Sequence, residues 1–201
     1  MISNISCIWQ GACRSSDVRD LPSYHYFSHA LMFVFWIALA LLSGIASAED
    51  KGEQGVPANP CYSTDPTLGD SAYWASTAVR LFSEQKYEDA IATVDACFQY
   101  WGPAAGQQQK KMYDQELKCP PTGKVKAKIR AEIEKDYLIN DVSMALWAKA
   151  RSLHELKKIE LAVHSYAQCL YMSCGRSWDT KGWFWSPAQD CAVYARKLAR
   201  K

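Results

Sequence analysis

Six cysteines carry the most definite chemistry in this sequence: Cys61, Cys97, Cys119, Cys169, Cys174 and Cys191. Thiols in such a set either oxidise in pairs or hold a soft metal as thiolates. A zinc site wants its ligands in tight groups. No Cys-x-x-Cys is present, and His154 and His164 are not spaced to share one helical face, so no metal is expected. Up to three disulfides is the better reading, although six cysteines allow many pairings and sequence does not choose between them. The pairs Cys97 with Cys119 and Cys174 with Cys191 are preferred, because each would close one inter-helix connection.

A second group with chemistry is aromatic. Trp178, Trp183, Phe184 and Trp185 fall close together beside Gly175, Gly182 and Pro187. Exposed indoles can form a platform for sugars, or for a partner's aromatic and Arg side chains. The plainer reading is that these rings plug the end of a helical stack, since aromatics more often build cores than sites. Catalysis has weaker support. No G-x-S-x-G, H-E-x-x-H or phosphate-loop pattern occurs. Glu84, Glu88, Asp89 and Asp95 could supply the two opposed carboxylates of a glycosidase, but each falls at a turn or on a solvated helix face. Gly69-Asp70-Ser71 resembles the nucleophile block of certain lipases. Those also need Asp-x-x-His, which neither histidine has, so helix N-capping explains Asp70-Ser71 better. The residues therefore lean away from an enzyme, and no cofactor is expected.

These groups must be positioned by elements that the rest of the chain defines. The 201 residues are 49% hydrophobic and 22% charged, with net charge +2, which predicts one globular domain. That balance, with no basic tract interleaved with aromatics, gives no reason to expect nucleic acid as a partner. Residues 30–42, from Ala30 to Leu42, are unbroken apolar, followed by Ala46-Ser47-Ala48 and then charge at Glu49-Asp50. That layout predicts a signal peptide over residues 1–48, cleaved after Ala48. A leader left uncleaved would anchor the chain to a membrane; otherwise the product is periplasmic or secreted. Met32 is an alternative start. Cys7 and Cys13 lie in the leader, which leaves the even set above for the mature chain.

Residues 49–69 are rich in Gly, Pro and polar residues and predict a flexible lead-in, pinned at most by Cys61. The domain proper is expected over 70–201. Trp74, Ala78, Leu81 and Phe82 recur at helical spacing, as do Tyr87, Ala90, Ile91, Val94, Cys97 and Phe98, with a stop expected at Gly102-Pro103. A further helix is expected from Ala104 to the break at Cys119-Pro120-Pro121. A charged surface helix is expected from Lys126 to Tyr137, with a stripe of Ile129, Ile133 and Tyr137. Asn140-Asp141 is expected to cap a helix carrying Leu146, Ala150, Leu153 and Leu156. Ile159, Ala162, Val163, Tyr166, Cys169 and Leu170 should form its mate, and a last helix runs through Cys191, Tyr194 and Leu198. No strand pattern is evident, so the fold is expected to be all-α.

Two hairpins match letter by letter at one offset. Trp74, Ala78, Leu81, Ala90, Val94 and Cys97 correspond to Leu146, Ala150, Leu153, Ala162, Tyr166 and Cys169. This resembles the tetratricopeptide repeat (TPR), with its W-x2-L-G-x2-Y unit and later alanine. Trp74, Ala90 and the Lys86-Tyr87-Glu88-Asp89 turn match it, whereas Thr77, Ala78 and Leu81 depart from it. The resemblance implies antiparallel hairpins stacked as a short solenoid, with a degenerate middle repeat near 104–118 and 125–137 and a C-terminal capping helix. It also implies a groove for a protein or peptide partner, lined by Val79, Phe82, Trp147, Arg151 and His154. Asp141–Trp147 and Gly182–Ala188 resemble small exported bacterial proteins of unsettled function, some labelled β-glucanase precursor. The function implied is a non-catalytic, exported interaction module. The alternative is a protein directed at cell-wall glycan or β-glucan, through the tryptophan loop or as a weak glycosidase.

Overall fold

A computed structural model describes residues 59–200. Six helices follow in order: α1 (Asp70–Ser83), α2 (Tyr87–Asp114), α3 (Ala127–Lys135), α4 (Tyr137–Glu155), α5 (Ile159–Tyr171) and α6 (Pro187–Leu198). Between α5 and α6 lies an antiparallel pair, β1 (Ser177–Asp179) and β2 (Trp183–Trp185). The chain is mainly α-helical. The expected signal peptide, its cleavage after Ala48 and the first part of the lead-in lie outside the described residues. Residues 59–69 form no helix, yet they are tied down. A disulfide joins Cys61 to Cys97, the Ser63 N–H donates to the Asp70 carboxylate at 2.8 Å, and the Thr64 hydroxyl donates to that of Tyr73 at 3.0 Å.

The matched letters occupy matched places. Trp74, Ala78 and Leu81 of α1 are fully buried, as are Ala90, Val94 and Cys97 of α2. Their counterparts Leu146, Ala150 and Leu153 on α4, and Ala162, Tyr166 and Cys169 on α5, are buried too. Alanine at the four crossing positions lets the helices approach closely, and the larger residues fill the layers between. The connections repeat as well. α1 ends with Gln85 N–H bonded to Phe82 O and Lys86 N–H to Leu81 O, and Gln85 takes φ 62°. α4 ends with Lys157 N–H on His154 O and Lys158 N–H on Leu153 O, with Lys157 at φ 60°. Both are Schellman terminations that place a non-glycine residue in the left-handed region.

Between the hairpins the structure departs from the expected repeat. α2 does not stop at Gly102-Pro103 but continues to Asp114, with Pro103 inside it on the exposed side. An interior proline costs a helix about 3 kcal/mol. Here α2 packs on α4, and Gly102, Ala105 and Gln109, on both sides of the proline, are buried. That burial offsets the local penalty. α2 then ends in a third Schellman turn at Glu116, φ 52°. Consequently 104–118 is not a separate helix, and no middle hairpin pairs it with α3. α4 packs directly on both α1 and α2, so the two matched hairpins are immediate neighbours. The intervening length is an insertion, made of the end of α2, a loop and short α3, of which only Ile133 is fully buried.

Smaller expectations are corrected likewise. α4 starts at Tyr137, so Tyr137 leaves the α3 stripe and Asn140-Asp141 lie inside the helix instead of capping it. Asn140 bridges Ile133 O and Arg176 N–H instead. The N-cap of α1 is Gly69, and Ser71 reaches across to Asp141. Ile159, Val163 and Leu170 of α5 are exposed. The loop expected to lack strands contains the β1–β2 hairpin, turned by Asp179 and by Gly182 at φ 97°. All six cysteines pair, but as Cys61–Cys97, Cys119–Cys174 and Cys169–Cys191, not as the preferred pairs. Once α2 runs on past Pro103, Cys97 lies more than four turns from the helix end that leads to Cys119. Three disulfides are the chemistry of an oxidising compartment. Among the described residues no helix is long and apolar enough to cross a membrane.

Candidate functional site

Side chains from three helices meet in one row. Phe82 at the end of α1 packs edge-on against Trp147 of α4, ring centres 5.1 Å apart. One turn on, the Arg151 guanidinium lies 5.3 Å from the Phe82 ring, 5.7 Å from Trp147 and 3.5 Å from Tyr194 of α6. Helical spacing explains the row, since Trp147 and Arg151 stand four residues apart on one face. Asp190 of α6 ties it together, accepting from the Trp147 indole at 2.6 Å and from Arg151 at 3.3 Å. Glu155 adds a second carboxylate 3.8 Å from Arg151. The His154 ring lies edge-on to Tyr194 and its Nδ1 is 3.0 Å from the Tyr166 hydroxyl, a phenol that burial drives to a raised pKa. Val79 is partly buried against the hydrophobic core. The five groove residues of the sequence reading are all half-buried, and Asp190, Tyr194 and Glu155 join them. Arg151 already holds carboxylates of this chain, so an acidic partner would compete with Asp190.

The four tryptophan-loop residues do not share one surface. Phe184 is buried, Trp185 packs edge-on against Trp147 at 5.4 Å, and Trp183 is half-buried with Lys181 near its face. Trp178 alone is well exposed; Arg130 of α3 lies 4.5 Å over its ring. The hairpin alternation sends neighbouring rings to opposite faces, which separates them.

A third place was not singled out from sequence. Two cavities, about 650 Å³ and 330 Å³, share Glu134, Tyr137 and Asp141 where α3 meets α4. The larger is walled by Gly69, by α1 residues Asp70, Ser71 and Ala72 and by Trp101, the smaller by Arg130, Arg176, Trp178 and Phe184. Asp141 Oδ2 accepts from the Ser71 hydroxyl at 2.6 Å, and burial pushes its carboxyl up to about 6. Arg176 is buried and donates to the carbonyls of Pro120, Ser173 and Gly175, and burial lowers its pKa. The signal was available in part, since Tyr137 and Asp141 stand four apart; placing Asn140-Asp141 at a cap hid it. A fourth feature is an apolar cleft of about 360 Å³ with Val142 and Leu146 as floor, between Phe98 and Gly102 of α2 and Ala167 and Tyr171 of α5. Among the described residues no three His, Cys, Asp or Glu side chains converge to hold a metal ion. Set against protein-family models, curated proteins and solved structures, the chain matches none.

Proposed function

We propose that the protein is an exported, non-catalytic interaction module of TPR-like build, which takes a protein or peptide partner along the row formed by α1, α4 and α6. The observation that carries this is the Phe82–Trp147–Arg151–Tyr194 row itself. It presents half-buried aromatics around one guanidinium from three helices, with α4 packed on both α1 and α6. Aromatic and Arg side chains of this kind are the residues that dominate protein interfaces. The TPR-like reading draws support from two neighbouring hairpins with the same buried positions and the same Schellman turn. α6 then packs on α4 and α5 as a cap. Export is supported by the apolar leader and by three disulfides.

The test is affinity capture from a native envelope extract with disulfides intact, followed by direct binding of the protein recovered. Wild type is compared with Trp147→Ala/Arg151→Glu and with Val79→Asp, each checked for an unchanged helical spectrum. A defined partner bound by wild type and lost by both folded variants supports the reading. No direct partner, or equal binding by both variants, refutes it.

A further inference from the structure

Beyond that face, we infer that the double cavity where α3 meets α4 binds a neutral oligosaccharide. The two sites are separate. Asp141 and Arg151 are ten residues apart on α4, about 15 Å along the axis.

Shape comes first. Both cavities fall within the roughly 300–1,000 Å³ of small-ligand clefts. Glu134, Tyr137 and Asp141 line both, so the wider and the narrower half of this trough adjoin at those residues. Aromatic rings are distributed along it, Trp101 in the wide half, Trp178 in the narrow half and Tyr137 shared by both. Tyr137 is 60% exposed and has no ring contact among the described residues. A large ring displayed in this way at the waist of a trough is a stacking surface without an internal occupant.

Charge decides the class of ligand. Asp70, Glu134 and Asp141 line the wide half, Arg130 and Arg176 join Glu134 and Asp141 in the narrow half, and much of this is already engaged. Glu134 receives Arg130 at 2.7 Å, Asp70 receives the Ser63 N–H, and Asp141 receives Ser71. A cationic peptide would meet two arginines in the narrow half, and an anion would meet three carboxylates. A neutral ligand rich in hydroxyls meets neither obstacle. It can donate to the second Asp141 oxygen and to Glu134, and accept from arginine, while an apolar ring face lies on Tyr137. A second observation points the same way: among the described residues the hydroxyl of Ser177, which lines the narrow half and is only 4% exposed, has no hydrogen-bond partner. A hydroxyl of this kind keeps hydrogen-bonding capacity that a hydroxylated ligand can use.

The experiment uses the full chain, produced with export and with its disulfides formed. Hexasaccharides of β-1,3-glucose, β-1,4-glucose and β-1,4-N-acetylglucosamine are titrated by calorimetry and by tryptophan fluorescence. At least one should bind. Tyr137→Ala should weaken it about tenfold or more, while Tyr137→Phe, which keeps the ring face, stays within about twofold of wild type. Trp147→Ala/Arg151→Glu should leave sugar binding unchanged, which separates this site from the partner-binding row. The inference is overturned if no hexasaccharide binds at about 10 mM. It is equally overturned if Tyr137→Ala binds as wild type does, or if a hexalysine peptide occupies the trough and the sugars do not.

Discussion

Replacing Asp141 by asparagine should stabilise the protein, by an amount that grows as pH rises from about 4 to about 6 and is full above that. The carboxylate stands in the second turn of α4, half-buried, with the Ser71 hydroxyl 2.6 Å away as its hydrogen-bond donor. Burial raises its pKa from 3.8 to about 6, and the Ser71 bond offsets only part of that. A rise of this size corresponds to about 3 kcal/mol against the charged form. The folded state holds the proton more tightly than the unfolded chain does. Stability from this group is therefore full below about pH 4, falls as pH rises through about 6, and the whole penalty stands above that. Asparagine keeps an oxygen for Ser71 and carries no charge. Urea denaturation of Asp141→Asn should give a gain of about 2–3 kcal/mol at about pH 8, shrinking towards zero at about pH 4. Asp136, whose pKa burial also raises, is present in both proteins and cancels in the difference. A gain that does not vary with pH, or a loss at pH 8, would refute the reasoning.

Three further perturbations test the fold. Gln85 and Lys157 hold left-handed backbone at φ 62° and 60°. Gln85→Gly and Lys157→Gly should each stabilise by up to about 1 kcal/mol in thermal melts, additively because they end different helices. Gly175 leaves no room for a side chain: a Cβ there would lie 2.2 Å from the Ser143 hydroxyl and 2.5 Å from its Cβ. Gly175→Ala should therefore cost about 1–3 kcal/mol, and Ser143→Gly in the same chain should recover part of it. The Cys169–Cys191 disulfide ties α5 to α6 across a separation of 22 residues. Changing both cysteines to alanine should lower stability by about 3 kcal/mol and speed hydrogen exchange in α6 before α1 and α2.

How much of this was legible beforehand follows from the range of the forces involved. The sequence by itself determined the helical character, the two matched hairpins and an even set of oxidisable thiols. Helical periodicity and the Ala78/Ala150 and Ala90/Ala162 spacing are local features, read within a few turns. Those positions are buried as the letters require. The five residues of the expected groove came instead from the TPR resemblance, carried over position by position onto the two matched hairpins.

Tertiary structure alone decided the rest. Gly102-Pro103 is a local stop signal, overridden because α2 gains more by staying packed on α4 than the proline costs. That extension turned an expected third repeat into an insertion and changed which cysteines could meet. Likewise Asn140-Asp141 reads as a cap in isolation, but α3 ends only a residue before Tyr137, so the helix begins earlier and Asp141 is carried to face Ser71. The trough around Tyr137 joins residues up to 115 positions apart, from Gly69 to Phe184. No pattern within one segment encodes such a meeting, because it is set by the packing of whole helices and not by the propensity of any one.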